Sequence, residues 1–154
     1  SQIKAILPDS QNLPRFVRNR SEQFESRTVM VKVNETKSPW LSGMEGSVLP
    51  VAVAHGEGKV EFDLSEQLNG LYDKNQVALQ YVDSHHQVTE RYPYNPNGAP
   101  KGIAGVLANE GKTLIMMPHP ERVFRVCQNV FQNDGLEEDG PWLRLFRNAR
   151  AQLG

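Results

Sequence analysis

A layered α/β fold is what this sequence predicts, and three observations carry the prediction. Residues 48–54, Val77–Val82, Ile103–Ala108 and residues 113–117 are apolar or nearly so throughout, the pattern of strands buried on both faces. Residues 141–150 place Trp142, Leu145, Phe146 and Ala149 at helical spacing, an amphipathic C-terminal helix. Polar side chains capable of chemistry follow the apolar runs, where open α/β sheets place their sites.

In chain order, residues 2–7 read as the last turns of a helix, ended by Pro8-Asp9-Ser10. Residues 13–19 form a short strand that enters a polar loop, Asn19 to Gln23. Residues 24–33 alternate and are rich in β-formers (Phe24, Thr28, Val29, Val31, Val33), so they form a strand. Ser38-Pro39-Trp40-Leu41 has the cap-then-proline start of a short helix, broken by Gly43 and Gly46. A strand over 48–54 runs into His55-Gly56-Glu57-Gly58, and residues 64–69 suggest one or two helical turns. The strand at Val77–Val82 ends in Asp83-Ser84-His85-His86. Residues 92–100 are a turn-rich loop. Ile103–Ala108 and residues 113–117 flank Asn109-Glu110-Gly111-Lys112 as a hairpin. No repeat, low-complexity tract or linker interrupts the 154 residues, so a single domain spans 1–154.

Composition narrows the function classes. Apolar residues make up 38% and charged residues 23%, ordinary for a globular chain. A net charge of −1 offers no attraction to nucleic acid or an anionic membrane surface. No apolar run approaches the roughly 18 residues of a membrane helix. A single cysteine, Cys127, forbids an internal disulfide and makes a reducing, cytoplasmic setting the default. The absence of an initiator Met and a start within a helix suggest a piece of a longer protein.

The stretch Met116-Met117-Pro118-His119-Pro120-Glu121 carries the clearest chemistry. Pro118 and Pro120 hold the residues before them out of helical geometry. In an extended chain, positions i and i+2 face the same side, so His119 and Glu121 project together. A carboxylate that takes the Nδ1 proton leaves Nε2 free to accept one from a nucleophile. The bland alternative is a proline-rich loop with a merely hydrogen-bonded histidine. His55-Gly56-Glu57-Gly58, at the end of a second strand, is either a glycine-rich turn with His55 and Glu57 facing solvent or part of a shared site. Asn19, Arg20, Ser21 and Phe24 form either an Asx/Ser turn or a polar wall for a small substrate. His55, Glu57, His85, His86, His119 and Glu121 could ligate a metal. No cysteine pair, helical His pair or aspartate-rich loop supports one, so no metal site is expected. Cys127 is rejected as the nucleophile, because no small residues flank it to form a sharp strand-to-helix turn with an oxyanion hole.

Four motifs occur in order: Pro14-Arg15-Phe16-Val17-Arg18-Asn19, His55-Gly56-Glu57-Gly58, Asn95-Pro96-Asn97-Gly98, and Met116-Met117-Pro118-His119-Pro120-Glu121-Arg122-Val123-Phe124-Arg125. Together they resemble the class I glutamine amidotransferase (glutaminase) domain of the phosphoribosylformylglycinamidine synthase family, in its large single-chain form. The resemblance covers essentially the whole chain. It implies a three-layer α/β/α, flavodoxin-like domain, present here as its C-terminal portion, and a Cys-His-Glu triad that hydrolyses glutamine. The ammonia passes to synthetase domains of the same polypeptide, which use ATP and Mg to convert formylglycinamide ribonucleotide to the amidine in purine biosynthesis. By this resemblance His119 is the base and acid, Glu121 orients it, and Asn19, Ser21 and Phe24 line the glutamine pocket. The loop His55 to Gly58 lies near the active site or the synthetase interface.

The family's nucleophile elbow, of the type Gly-Val-Cys-Asn-Gly-Cys-Gln, has no counterpart among the 154 residues. The resemblance therefore implies a chain that holds no nucleophile or cofactor of its own, is inactive alone, and self-associates through a sheet edge left open. Two other readings stand beside it: a stand-alone glutaminase subunit of another amidotransferase, and a non-catalytic docking module.

Overall fold

The computed structural model describes residues 13–129 and 138–154. The helix expected at 2–7 and the break at Pro8-Asp9-Ser10 lie outside these residues. Among the described residues, seven strands and two helices of at least two turns follow in order: β1 (Arg15–Arg18), β2 (Glu25–Val33), β3 (Val48–His55), β4 (Glu57–Glu61), α1 (Ser65–Asp73), β5 (Val77–Val82), β6 (Ile103–Ala108), β7 (Thr113–Met116) and α2 (Leu143–Gln152).

The main sheet has the order β3-β2-β5-β6-β7, and β1 pairs with β4 in a separate two-stranded ribbon. Every pairing between these strands is antiparallel. Register sorts the side chains onto two faces. Val31 stands opposite Tyr81 and Val33 opposite Leu79, Leu79 opposite Gly105, and Leu107 opposite Leu114. That face forms a core with Val29, Val51 and Val53 and with Trp142 and Leu145 from the α2 segment. Val77 stands opposite Val106 and Gln80 opposite Ile103 on the other face, where Val77, Ile103 and Val106 pack with Val60 of β4 and Leu71 of α1. Helical segments therefore cover both faces of one sheet, the three-layer α/β/α arrangement of a partial flavodoxin-like domain.

Burial departs from the expectation at one strand. All six residues of β5 and of β6 are buried, as continuous apolar runs should be. In β3 only Val51, Val53 and His55 are buried, and the residues between them are half-buried. The reason is position: among the described residues β3 is an edge strand, which is also why it tolerates Pro50. The free Pro50 carbonyl accepts the Trp142 indole N–H at 2.6 Å, seating the C-terminal segment on this strand. Asn148 adds two side-chain hydrogen bonds, to the carbonyls of Trp40 and Ser42, each 2.9 Å.

The hairpin of β6 and β7 turns through Asn109–Gly111, where Asn109, Glu110 and Gly111 all have positive φ. At Gly111 a side chain would press on the Lys37 carbonyl, so glycine serves there twice over. The short helix expected after Ser38 is a single 3-10 turn at Pro39–Leu41.

The other correction concerns His55-Gly56-Glu57-Gly58. It is not a free turn: His55 closes β3, and Glu57 already opens β4. The sequence hid β4 because Glu57-Gly58-Lys59-Val60-Glu61 carries one large apolar residue and a glycine, a poor strand by propensity. Pairing with β1 supplies what propensity does not, matching Phe16 with Val60 and Arg15 with Glu61.

Two residues beyond the end of β7, Pro118 leads to His119, whose backbone N–H donates to the Ala52 carbonyl of β3 at 2.8 Å. An extended chain covers at most about 3.5 Å per residue, so three residues from Met116 reach roughly 10 Å. A single bridge therefore ties the segment after β7 to β3, the strand at the other end of the sheet order.

Candidate active site

His119 is held from behind and left open in front. Its extended backbone (φ −109°, ψ 85°) is followed by a single 3-10 turn at Pro120–Arg122. The fixed φ of Pro120 suits the first position of such a turn. The Arg122 N–H donates back to the His119 carbonyl at 3.2 Å and Val123 N–H to the Pro120 carbonyl at 3.1 Å. This turn swings the Glu121 carboxylate to 2.8 Å from His119 Nδ1. The pair anticipated from i, i+2 alternation does meet, but by a different geometry, since only His119 is extended. Arg122 Nε lies 3.7 Å from the same carboxylate oxygen.

With Nδ1 given to Glu121, the neutral ring presents Nε2 as an acceptor. Nε2 has no partner among the described residues, and the side chain is 28% exposed. A histidine so placed can take a proton from a nucleophile and return it to a leaving group.

His55 stands beside this pair. The rings of His55 and His119 are 6.0 Å apart between centroids and tilted by 42°. His55 is 9% exposed. Desolvation by burial pushes its pKa below the ordinary 6.5 against the hydrogen bond from Asn97, and His119 pushes it the same way as burial. The backbone of Met117 and the Glu25 carboxylate act in the opposite sense. Glu25 is itself buried, opposite His55 in the β2–β3 register, and is paired with Arg27 at 2.5 Å.

Asn19 and Asn97 hold His55 in place. The Asn19 side-chain amide donates to the carbonyls of Gln23 (3.0 Å) and His55 (2.8 Å). Its Oδ1 accepts from Gly58 N–H at 3.1 Å and from Asn97 Nδ2 at 2.7 Å. Asn97 Nδ2 also lies 2.8 Å from His55 Nε2, and the Tyr81 hydroxyl donates to Asn97 Oδ1 at 2.5 Å. Tyr81 is fully buried, which raises its phenol far above the usual range. Gly58 is obligatory beside this cluster, because a Cβ there would overlap both His55 Nε2 and Asn97 Nδ2.

The remaining candidates do not converge on one place. Ser21 lines a cleft of about 410 Å³ together with Arg20, Gln23, Glu90, Tyr92 and Asn95. Phe24 is 67% exposed immediately before β2. Asn19, grouped with these two by sequence, is only 2% exposed and gives its whole amide to the buried network. Gly56 accepts the Asn19 N–H through its carbonyl at 2.9 Å, and Glu57 is exposed at the start of β4. Cys127 is exposed in a turn at Val126–Gln128. Among the described residues, no three or more His, Cys, Asp or Glu side chains converge on a point where a metal could sit. No described helix is long and apolar enough to cross a membrane. Tyr81 and Glu25 lie inside strands, where nothing in the spacing sets them apart. Asn95 and Asn97 fall within one of the four motifs, but nothing in the spacing ties Asn97 to His55.

A histidine oriented by a carboxylate, on a segment bridged to an α/β sheet, is the equipment of acyl transfer by an activated nucleophile. The chain belongs to the CobB/CobQ-like glutamine amidotransferase domain family, whose pattern it matches over residues 1–152. Among solved structures it is similar to PurLQS from Thermotoga maritima, with 25% sequence identity and a TM-score of 0.62, over 92% of this chain and 53% of that one. It spans about half the length of that relative. Both findings agree with the resemblance to a class I glutaminase domain of the phosphoribosylformylglycinamidine synthase family.

Proposed function

We propose that this chain is the glutaminase part of a phosphoribosylformylglycinamidine synthase, and that His119 and Glu121 are two members of its catalytic triad. The observation that carries the reading is the 2.8 Å hydrogen bond between His119 Nδ1 and Glu121 Oε1, on a segment pinned to Ala52, within a family of glutamine amidotransferases. The nucleophile is a cysteine outside these 154 residues, since Cys127 lies in an exposed turn with no hydrogen bond to His119.

In the intact protein the cysteine thiol gives its proton to His119 Nε2, and the thiolate attacks the side-chain amide carbon of glutamine. The tetrahedral intermediate collapses as His119 returns the proton to the leaving nitrogen, releasing ammonia and a thioester. Water, deprotonated by His119, then hydrolyses the thioester to glutamate. Glu121 holds the ring in the tautomer that can do both and stabilises the imidazolium between the steps. Ser21 and Phe24 contribute to glutamine binding, and Asn19 supports their loop from beneath. Ammonia passes to synthetase domains of the same polypeptide, where ATP and Mg belong. The chain by itself releases no ammonia.

The test is ammonia release from glutamine by the complete protein. His119→Ala lowers kcat by about 10³-fold or more, the scale of losing a triad histidine. Retention of full glutaminase activity by that variant would remove His119 from the chemistry.

A further inference from the structure

We propose that His55 is a positioning residue for His119, locked by Asn19 and Asn97 as the neutral Nδ1–H tautomer so that no second cation forms beside the reacting imidazole.

The lock follows from donors and acceptors alone. Asn19 Nδ2 sits against two backbone carbonyls, of Gln23 and His55, so that end of the amide must be the NH2. Asn19 Oδ1 is then an acceptor, as the Gly58 N–H confirms. Asn97 Nδ2, 2.7 Å from Asn19 Oδ1, must donate, and its other hydrogen points at His55 Nε2 at 2.8 Å. A donor facing Nε2 requires a lone pair there, so the proton of neutral His55 is on Nδ1. Protonating Nε2 would set two N–H groups against each other in a buried site, where an unmade hydrogen bond is costly. Tyr81 fixes the far side of Asn97 by donating to its Oδ1, so the amide cannot flip without breaking three bonds.

The surroundings agree. Facing His55 are Glu25, already neutralised by Arg27, His119 with Glu121, and the un-ionised Tyr81 hydroxyl. Nδ1 of His55 is buried and makes no hydrogen bond, the Met117 backbone acting on the ring without reaching bonding geometry. A cation on His55 would therefore have no carboxylate partner of its own and would stand 6.0 Å from a ring that must itself become cationic during turnover. The consequence for turnover rests on the glutaminase reading; the tautomer does not.

The test separates the two. In the complete protein labelled with 15N-histidine, the ring whose signals are lost in His55→Gln shows the Nδ1–H, Nε2-lone-pair pattern at pH 7.5 and takes up its second proton only below the ordinary 6.5, and Asn97→Asp makes that ring doubly protonated at higher pH. If that ring carries its proton on Nε2, or titrates as an ordinary imidazole in the unsubstituted protein, the lock does not exist, whatever the function. In the complete protein, His55→Gln offers Asn97 an uncharged acceptor and keeps kcat at least about tenfold above that of Asn97→Asp at pH 6.5, with KM for glutamine within about threefold. Equal kcat for those two variants would overturn the positioning role even with the tautomer in place. Should His119→Ala leave glutaminase activity intact, the catalytic reading falls while the spectrum still reports on the lock.

Discussion

The backbone of His119 is a strand partner of Ala52: its N–H reaches the Ala52 carbonyl at 2.8 Å, while its side chain turns towards Glu121 and His55. One residue thus ties the segment after β7 to β3 and presents the imidazole. Both neighbours of the ring arrive on opposite ends of that arrangement, Glu121 from the turn after β7 and His55 from the end of β3.

Glu121→Gln tests orientation rather than charge alone. A glutamine NH2 facing Nδ1 moves the ring proton to Nε2 and leaves no acceptor for the nucleophile. The complete protein with this change loses about 10²–10⁴-fold in kcat, as amide replacement of an orienting carboxylate does. A loss smaller than about tenfold in ammonia release would show that Glu121 does not set the tautomer.

Asn19 should separate from Ser21 and Phe24 in what it affects. Asn19→Ala strands two carbonyls, one N–H and Asn97, and costs roughly 2–4 kcal/mol by urea unfolding. Ser21→Ala and Phe24→Ala, in exposed or part-exposed settings, change stability by less than about 0.5 kcal/mol and act on KM for glutamine. Equal stability of all three variants would contradict the buried network.

Trp142 anchors α2 through both area and a hydrogen bond. Trp142→Ala costs about 3–5 kcal/mol, while Trp142→Phe, which deletes the bond to the Pro50 carbonyl, costs about 1–2 kcal/mol. The midpoint of urea unfolding reads both, and a Phe variant as stable as the original would mean the 2.6 Å contact contributes nothing.

Acid should weaken the fold through His55. Burial keeps its folded pKa below the ordinary 6.5, so the unfolded chain takes up this proton first as pH falls. Stability from this residue is therefore fully present above about pH 6.5 and is lost progressively below it, until the folded ring also titrates. The difference in urea midpoint between pH 7.5 and 5.5 should shrink in His55→Gln. An unchanged difference would place the acid sensitivity elsewhere.

Much of this was legible in the amino-acid order because the signals were local. The apolar runs of β5 and β6, the turn residues at 109–112 and the proline-flanked His119 each declare themselves within a few positions. The buried cluster did not, because it joins residue 19 to 97, 55 to 97 and 81 to 97, pairings fixed by the fold alone. Asn19 illustrates the cost: in sequence it stands with Ser21 and Phe24 on one polar loop, yet its side chain turns inward. β4 was missed for the opposite reason, a strand made by its partner rather than by its own residues.

The pairing of His119 with Ala52 also sets a competition. An edge strand such as β3 invites a foreign strand to add to it, but at Ala52 the acceptor is already occupied by the imidazole's own backbone. A strand that docks there must first unseat His119, so on the glutaminase reading assembly through this edge and proton transfer at this ring exclude one another.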